Sequence, residues 1–488
     1  MRYKILRLAN NSTMFASEKK DNIVTLLGNC FDLELREFDL GGDKLYVLYL
    51  EGSTDKELLS EQVLRPIGLE PGKIDTQERF IEVTFLPVKV MPVDTAKELS
   101  RHIALGEVAV VAENFSLTFS LRKVAMRAVT EPPTATVLKG PREGFTEEIR
   151  SNISLLRRRL RCSTLRLDKM QAGRYSQTDI VVAYIDGIAS KKIVKKIKDK
   201  ISGIDIDGII DSSYIGKFLE EKTYSLFRQV GTTEKPDILA AKMLEGRIGI
   251  FVDGSPIVLT LPFLFVEDVQ NSNDYFKRDV RAAFIRIIRM LGGIMAVFLP
   301  AAYIAVQEFQ YQILPIKFII TILNTTSATP LSPTIEMVFV VILFEIINET
   351  SIRMPKYVGM AVSLVGAIVL GETAVKAGIL SSPAVLITAL SGLGLYCIPD
   401  EAGSFSMLRI LFLGLAGIVG MYGIVVGIVV FVAYVVCFNE FETPYTAPYA
   451  PGVPEDRKDG IFKLALKEMK TRPRSIPNIN KKRMGTDD

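Results

Sequence analysis

The sequence predicts an α/β soluble N-terminal region of two similar subdomains, followed by a polytopic α-helical membrane domain and a short polar C-terminal tail. Three observations carry that prediction. A strand-turn-helix pattern occurs twice in the first half of the chain. The mean hydropathy is positive, +0.26, although 23% of the residues are charged. The apolar residues that produce this value are gathered into long runs from about Phe284 onward. The implied boundaries are 1–139 for the first α/β subdomain and 140–280 for a linker helix with the second. They continue as 281–438 for the transmembrane helical domain and 439–488 for the tail.

The repeat is weak but specific in register. LYVLYLEGSTDKELLSEQVLRPI, from Leu45, aligns with IVVAYIDGIASKKIVKKIKDKIS, from Ile180, and matches Tyr49 to Tyr184, Glu51 to Asp186 and Gly52 to Gly187. Each copy is a β-branched and aromatic run, an acid-Gly turn, then an amphipathic helix. The acid-Gly turns could hold a metal or a ribose. A permissive glycine after a strand, with an acid near the next helix N-terminus, accounts for them without a ligand. Farther on, Pro236 and Asp237 start a helix over DILAAKMLEG and Gly246 stops it. In GIFVDGSPIVLTLP, Asp253-Gly254 signals a hairpin. The acids of IDIDGIID lack the register of a calcium loop.

Between the two copies lies GPREGFTEEIRSNISLLRRRLR, Gly140 to Arg161. KGPREG has the glycine spacing of a phosphate loop but not the following Lys-Ser/Thr that would hold phosphate and Mg²⁺. A local reading fits better. Gly140, Pro141 and Gly144 shape a turn, Thr146 caps a helix, and Glu147 and Glu148 match its positive start. Arg157, Arg158, Arg159 and Arg161 suit the negative end. Position and charge make this stretch, with Arg142, an interface element. It would contact the other subdomain, a neighbouring subunit or anionic lipid headgroups.

The apolar runs begin with FIRIIRMLGGIMAVFLPAAYIAV, entered through Lys277, Arg278 and Arg281. Four more follow, ending with Leu408 to Phe438, and several reach the ~20 residues that span hydrocarbon. IKFIITILNTTSATPLSP turns polar and is broken by proline, so it is re-entrant or at the surface. Arg353 and Lys356 bracket a short loop that reads as cytoplasmic. Two ends in the cytosol require an even number of crossings, and the last run is either one long tilted helix or a tight hairpin through its glycines. The N-terminus MRYKILRLANNSTMF has no apolar signal-peptide core. The scattered Cys30, Cys162, Cys397 and Cys437 fit a reducing, cytosol-facing soluble part.

No catalytic, cofactor or metal constellation emerges. The single histidine, His102, has no nucleophile or ligand signature beside it. Net charge is +4, too small a bias to indicate nucleic acid. Within the apolar half, Glu345, Asn348 and Glu349 share a helix face, and Arg353 extends it by one turn. Glu372 ends another run. Ionisable groups at membrane depth are site candidates, unless they lie at the interface and merely end helices. Gly359, Ser363 and Gly366 stand at near-helical spacing, with Val362 and Leu370 between and after them. They would line a pore with hydrophobic constrictions, or pack helices closely.

EPPTATVLKGPREGFTEEIRSNISLLRRRLR, the block from Asp205 to Pro262 and PKYVGMAVSLVGAIVLGETAVKAGI resemble successive blocks of the GerA family. GPREGF with its Arg-rich helix end and LEGR-x-x-I-x-V-D-G carry the resemblance most specifically. The resemblance implies spore germination, as the A subunit of a nutrient germinant receptor or a sporulation paralogue. It implies a multi-pass protein of the inner spore membrane in an endospore-forming bacterium, with the large N-terminal region in the cytosol. Its partners would be a transporter-like B subunit, a lipoprotein C subunit and further copies of itself. It would form or gate a cation channel whose opening triggers ion and dipicolinate release. The alternative is a non-conducting scaffold that transmits the state of the complex.

Overall fold

The computed structural model describes residues 15–40, 42–70, 72–86, 88–122, 140–326, 329–355, 358–359, 365–366 and 368–485. The chain divides into two compact units. One comprises Met1–Glu221, Val230–Pro262 and Ile476–Lys482; the other comprises Lys222–Gln229, Phe263–Ser475 and Arg483–Asp488.

In the first unit, α1 (Ala16–Leu27) leads into β1 (Leu33–Leu40) and β2 (Asp43–Leu50). The short helices α2 (Lys56–Leu59), α3 (Arg65–Leu69) and α4 (Gln77–Val83) follow. Then come β3 (Met91–Pro92), α5 (Ala96–Ala104), β4 (Val108–Val111) and β5 (Ser116–Phe119). The second half repeats the plan. Its elements are α6 (Ile149–Arg159), β6 (Leu165–Ala172), β7 (Thr178–Ile185), α7 (Lys191–Ser202) and α8 (Ser212–Leu219). They continue as β8 (Gly231–Thr233), α9 (Pro236–Leu244), β9 (Ile248–Val252) and β10 (Val258–Leu261).

The sheets run β1-β2-β4-β5-β3 and β6-β7-β9-β10-β8, with every pairing antiparallel. Each strand of the second sheet occupies the place of its counterpart in the first. The weak sequence repeat is therefore a duplicated fold, and the aligned tyrosines Tyr49 and Tyr184 fall on the matching strands β2 and β7.

The continuous run LYVLYL is explained by burial on both faces of β2. Leu45, Val47 and Tyr49 pack with Leu59, Val63, Ile67 and Phe80. Tyr46, Leu48 and Leu50 face the other way and pack with Ile23 and Leu27 of α1 and Leu99 and Ile103 of α5. In α7 the lysines alternate with Ile193, Val194, Ile197 and Ile201, all buried at helical spacing.

The second unit is helical. It contains α10 (Val266–Val269), α11 (Asp279–Ile304), α12 (Ile316–Thr326) and α13 (Pro333–Arg353). It continues with α14 (Ser382–Leu395), α15 (Ala402–Val419) and α16 (Met421–Val436). Among the described residues, the stretches Asp279–Phe309 and Pro399–Val419 are long and apolar enough to cross a membrane. Ala296, Val297 and Ala301 of α11 pack with Leu395 of α14 and with Phe405, Leu408, Phe412 and Ala416 of α15. α12 ends at Thr326, so the polar Asn324, Thr325 and Thr326 form its last turn, and Ser327 and Ala328 lie outside the described residues.

The last apolar run is a hairpin. Gly420 separates α15 from α16 with φ 67° and ψ −143°, a combination that a side chain disfavours. Gly423 then faces Leu415, and Gly427 faces Phe412, so the two helices run back along each other. The tail after α16 folds rather than trails. It forms a two-stranded ribbon, Asn439–Glu440 with Thr443–Pro444, and farther on Ile479 N–H donates to Ile188 O at 2.9 Å.

A Cβ at Gly420 would also meet Phe309 Cγ at 2.7 Å. Gly420→Ala should therefore cost about 1–3 kcal/mol, read as a lower thermal unfolding midpoint of the detergent-purified chain. An unchanged midpoint would show that the hairpin does not depend on this backbone conformation.

Candidate functional site

Two places concentrate the polar residues that the sequence singles out. The first is the joint between the duplicated subdomains, where α6 lies. The helix begins at Ile149 rather than at Thr146. Thr146 does not cap it, because its backbone N–H (2.7 Å) and hydroxyl (3.3 Å) both donate to Asn152 Oδ1. The cap comes from another strand loop, where Asp253 Oδ1 accepts the Ile149 N–H at 3.2 Å. Gly254 N–H donates to Glu147 O at 2.9 Å, and the rings of Phe145 and Phe251 meet edge to face at 5.5 Å. GPREGF and VDG are thus bound to each other.

The arginines at the end of α6 have different fates. Arg157 is buried, with its side chain 3% exposed, and reaches the loop after α1 in the first subdomain. Its Nε donates to Asp32 Oδ2 at 2.6 Å and its Nη2 to Asp32 Oδ1 at 2.8 Å. Burial pulls the guanidinium pKa down, but the Asp32 carboxylate outweighs it and holds the value above the ordinary one. Cys30 sits beside this pair, and burial pushes its thiol up, which keeps it protonated. Arg158 and Arg159 turn instead to Glu143, Arg159 at 2.9 Å, and Arg161 Nε donates to Arg158 O at 3.2 Å. Arg142 is exposed. Arg150 Nη1 donates to Glu51, and Arg166 Nη1 donates to Leu26 O at 3.1 Å, so three arginines span the joint.

The second place is inside the helical unit. Glu345 of α13 accepts from Arg409 and from Ser406, both on α15. Arg409, whose side chain is fully buried, also donates to Ser391 Oγ of α14 at 3.1 Å. That hydroxyl in turn donates to Ala296 O of α11 at 2.7 Å. One network therefore binds four helices. Asn348 Oδ1 accepts from Tyr396 Oη at 2.6 Å. Glu349 and Arg353 form an exposed i, i+4 pair at 2.7 Å, and Glu372 pairs with Lys376 in the same spacing.

Of the proposed pore residues, Gly359 and Gly366 are placed beside α13. A Cβ on Gly359 would meet Ser351 O at 2.7 Å and one on Gly366 would meet Ile347 Cδ1 at 2.8 Å. The small residues let the chain approach α13 closely at both points. Val362 and Ser363 lie outside the described residues, and so does the side chain of Leu370.

Sequence reasoning missed Arg409 and Asp32. A lone arginine within an apolar run was the available signal for Arg409. Asp32 carries none, because its partner lies 125 residues away.

An α/β duplication followed by an apolar helical unit with a buried ion-pair network is the plan of a membrane-associated protein, and the comparisons identify the class. The chain matches the family model described as Bacillus/Clostridium GerA spore germination protein over residues 21–475, and it belongs to that family. It is 33% identical to spore germination protein KA of Bacillus subtilis (strain 168) over 470 residues, 94% of this chain and 86% of that one. It is 34% identical to the uncharacterized membrane protein YfkQ of the same organism over 462 residues, 93% and 90% of the two chains. It is 30% identical to spore germination protein GerLA of Bacillus cereus over 482 residues, 96% of each. A crystal structure of the N-terminal domain of the A subunit of the Bacillus megaterium spore germinant receptor GerK3 is 29% identical. It covers 51% of this chain and 96% of that chain, with a TM-score of 0.41.

Removing one member of a buried ion pair strands the other. Arg157→Met should lower the unfolding free energy of the α/β region by about 3–5 kcal/mol. Arg158→Met, which breaks a solvent-facing pair, should cost at most about 1 kcal/mol. Denaturant titration of the full chain, followed by hydrogen exchange in α6, measures both; equal losses would contradict the assignment.

Proposed function

We propose that this chain is the A subunit of a nutrient germinant receptor in the inner spore membrane. It would act with a transporter-like B subunit and a lipoprotein C subunit, and copies of it would assemble to form or gate a cation-conducting path. Family membership over residues 21–475 supports the germination role. Relatives named spore germination proteins, similar to this chain over most of their length, support it further.

The observation that carries the conducting reading is the close approach of Gly359 to Ser351 and of Gly366 to Ile347 on α13, the helix that also carries Glu345. It sets small residues against a helix that carries one half of an ion pair, an arrangement suited to a gated path. A second reading, a non-conducting subunit that relays the state of the complex, draws on the same ion pair. Arg409 and Glu345 neutralise each other, so their charges are committed to holding helices together.

Cation flux through the purified, reconstituted chain separates the two. Val362→Ala should raise basal flux and Gly366→Leu should lower it, each by about tenfold if a hydrophobic constriction gates the path. Unchanged flux in both, with a monomeric protein, would leave the relay reading.

A further inference from the structure

Lys222–Gln229 falls between α8 and β8 in the chain, yet it packs within the helical unit. Phe227 is buried among Phe265, Phe405 and Phe431, with ring centroids 6.0, 6.5 and 5.7 Å away. Ser404 Oγ donates to Leu226 O at 2.7 Å, and Leu226 N–H reaches Tyr434 Oη at 3.4 Å. Lys222 Nζ lies 4.1 Å from the centre of the Phe438 ring. The segment is a strap laid across the ends of α15 and α16.

Arg228 is its anchor. Nε donates to Asp268 Oδ1 at 3.1 Å and lies 3.4 Å from Glu401 Oε1, while Nη2 donates to Asp400 Oδ2 at 3.0 Å. Asp400 is 65% exposed and shares its charge with water, whereas the side chains of Asp268 and Glu401 are each 1% exposed. One guanidinium thus serves two buried carboxyl groups. Their hydrogen bonding is incomplete: Asp268 Oδ2 and both Glu401 oxygens are buried without a hydrogen bond, Glu401 Oε1 having only the ion pair with Arg228. So is the hydroxyl of Tyr445, a residue 1% exposed whose charged neighbours are Asp268, Glu401, Arg228 and Glu440.

The other charges around the pair do not complete it. Glu267, beside Asp268, and Glu440, from the tail ribbon, add negative charge. Arg289 of α11 donates to Val269 O and pairs with Asp274 at 3.2 Å. Lys222 stands over the Phe438 and Tyr434 rings. Two ionised carboxylates at this depth would leave one buried negative charge uncompensated. A proton on either one removes that charge and supplies the missing donor.

We propose that Asp268 and Glu401 hold one proton between them beneath Arg228, making Lys222–Gln229 a proton-sensitive strap: seated while the pair keeps the proton, loosened when it is lost. Burial raises the Asp268 carboxyl, to about 7, against the pull of Arg228. In water the same group would titrate near ~3.9. The seated state therefore binds the proton more tightly. Seating is fully favoured below the solvent value and weakens as pH rises through about 7. The inference holds whether or not the chain conducts ions, because it concerns only how the strap is held.

Hydrogen–deuterium exchange of the full chain in lipid vesicles tests it, with rates corrected for the intrinsic pH dependence. Between about pH 5.5 and about pH 8.5 the wild-type strap peptide should lose protection by at least about tenfold, while β9 should not change. Asp268→Asn fixes the neutral form and Glu401→Gln removes the second charge, so each should keep the strap protected to within about twofold across that range. A wild-type strap whose protection is independent of pH would overturn the proposal. So would the wild-type pH step persisting in both variants.

Discussion

An arginine keeps its proton wherever the fold puts it, so burying one obliges the chain to bury a carboxylate beside it. This chain does so repeatedly. Arg157 reaches Asp32 in the α/β unit. Arg286 and Arg409 are fully buried in the helical unit against Asp274 and Glu345, and Arg228 meets Asp268 there. Each pair joins segments that are separate in the fold. Arg157 closes one subdomain on the other, Arg409 ties α15 to α13, and Arg286 gathers the loop before α11 with Asp459 and Gly460 O of the tail. Such pairs contribute little net stability against a well-packed apolar alternative. They do make wrong arrangements expensive, because any other seating leaves a charge buried alone.

The same constraint explains the two arginines at the start of the first apolar run. Asp274 accepts from Arg286 at 3.0 Å and from Arg289 at 3.2 Å, and Asp459 lies 3.0 Å from Arg286, so two carboxylates balance the two guanidinium groups at the start of α11. The Glu345–Arg409 network does for the middle of the bundle what Asp274 does for its edge. Helices with little hydrophobic preference for one another in an apolar medium gain a defined register from one hydrogen-bonded charge pair.

Much of the architecture was legible because it is written in local pattern. The β-branched and aromatic runs LYVLYL and IVVAYI, each followed by acid-Gly and an amphipathic helix, marked the duplicated strand-turn-helix before any sheet was seen. Pro236 and Gly246 bracketed α9 because a proline at a helix start and a glycine at φ 110° after its end act within a few residues. What pattern cannot supply is partnership across distance. Thr146 read as a cap by its type, but Asp253 takes that role from a strand loop 104 residues away. Three adjacent arginines looked alike, and only burial separates Arg157 from Arg158 and Arg159. The last apolar run admitted two shapes until the backbone at Gly420 selected the hairpin.

The central claim is that buried arginine–carboxylate pairs hold the helices and subdomains in register. A double-mutant cycle at Glu345 and Arg409 tests it most directly, with thermal unfolding of the purified full chain as the readout. Glu345→Leu and Arg409→Met should each lower the midpoint steeply, and the double variant should recover most of the loss, a coupling of about 2–3 kcal/mol. Single losses that simply add would contradict the account, because they would mean the two charges do not hold each other.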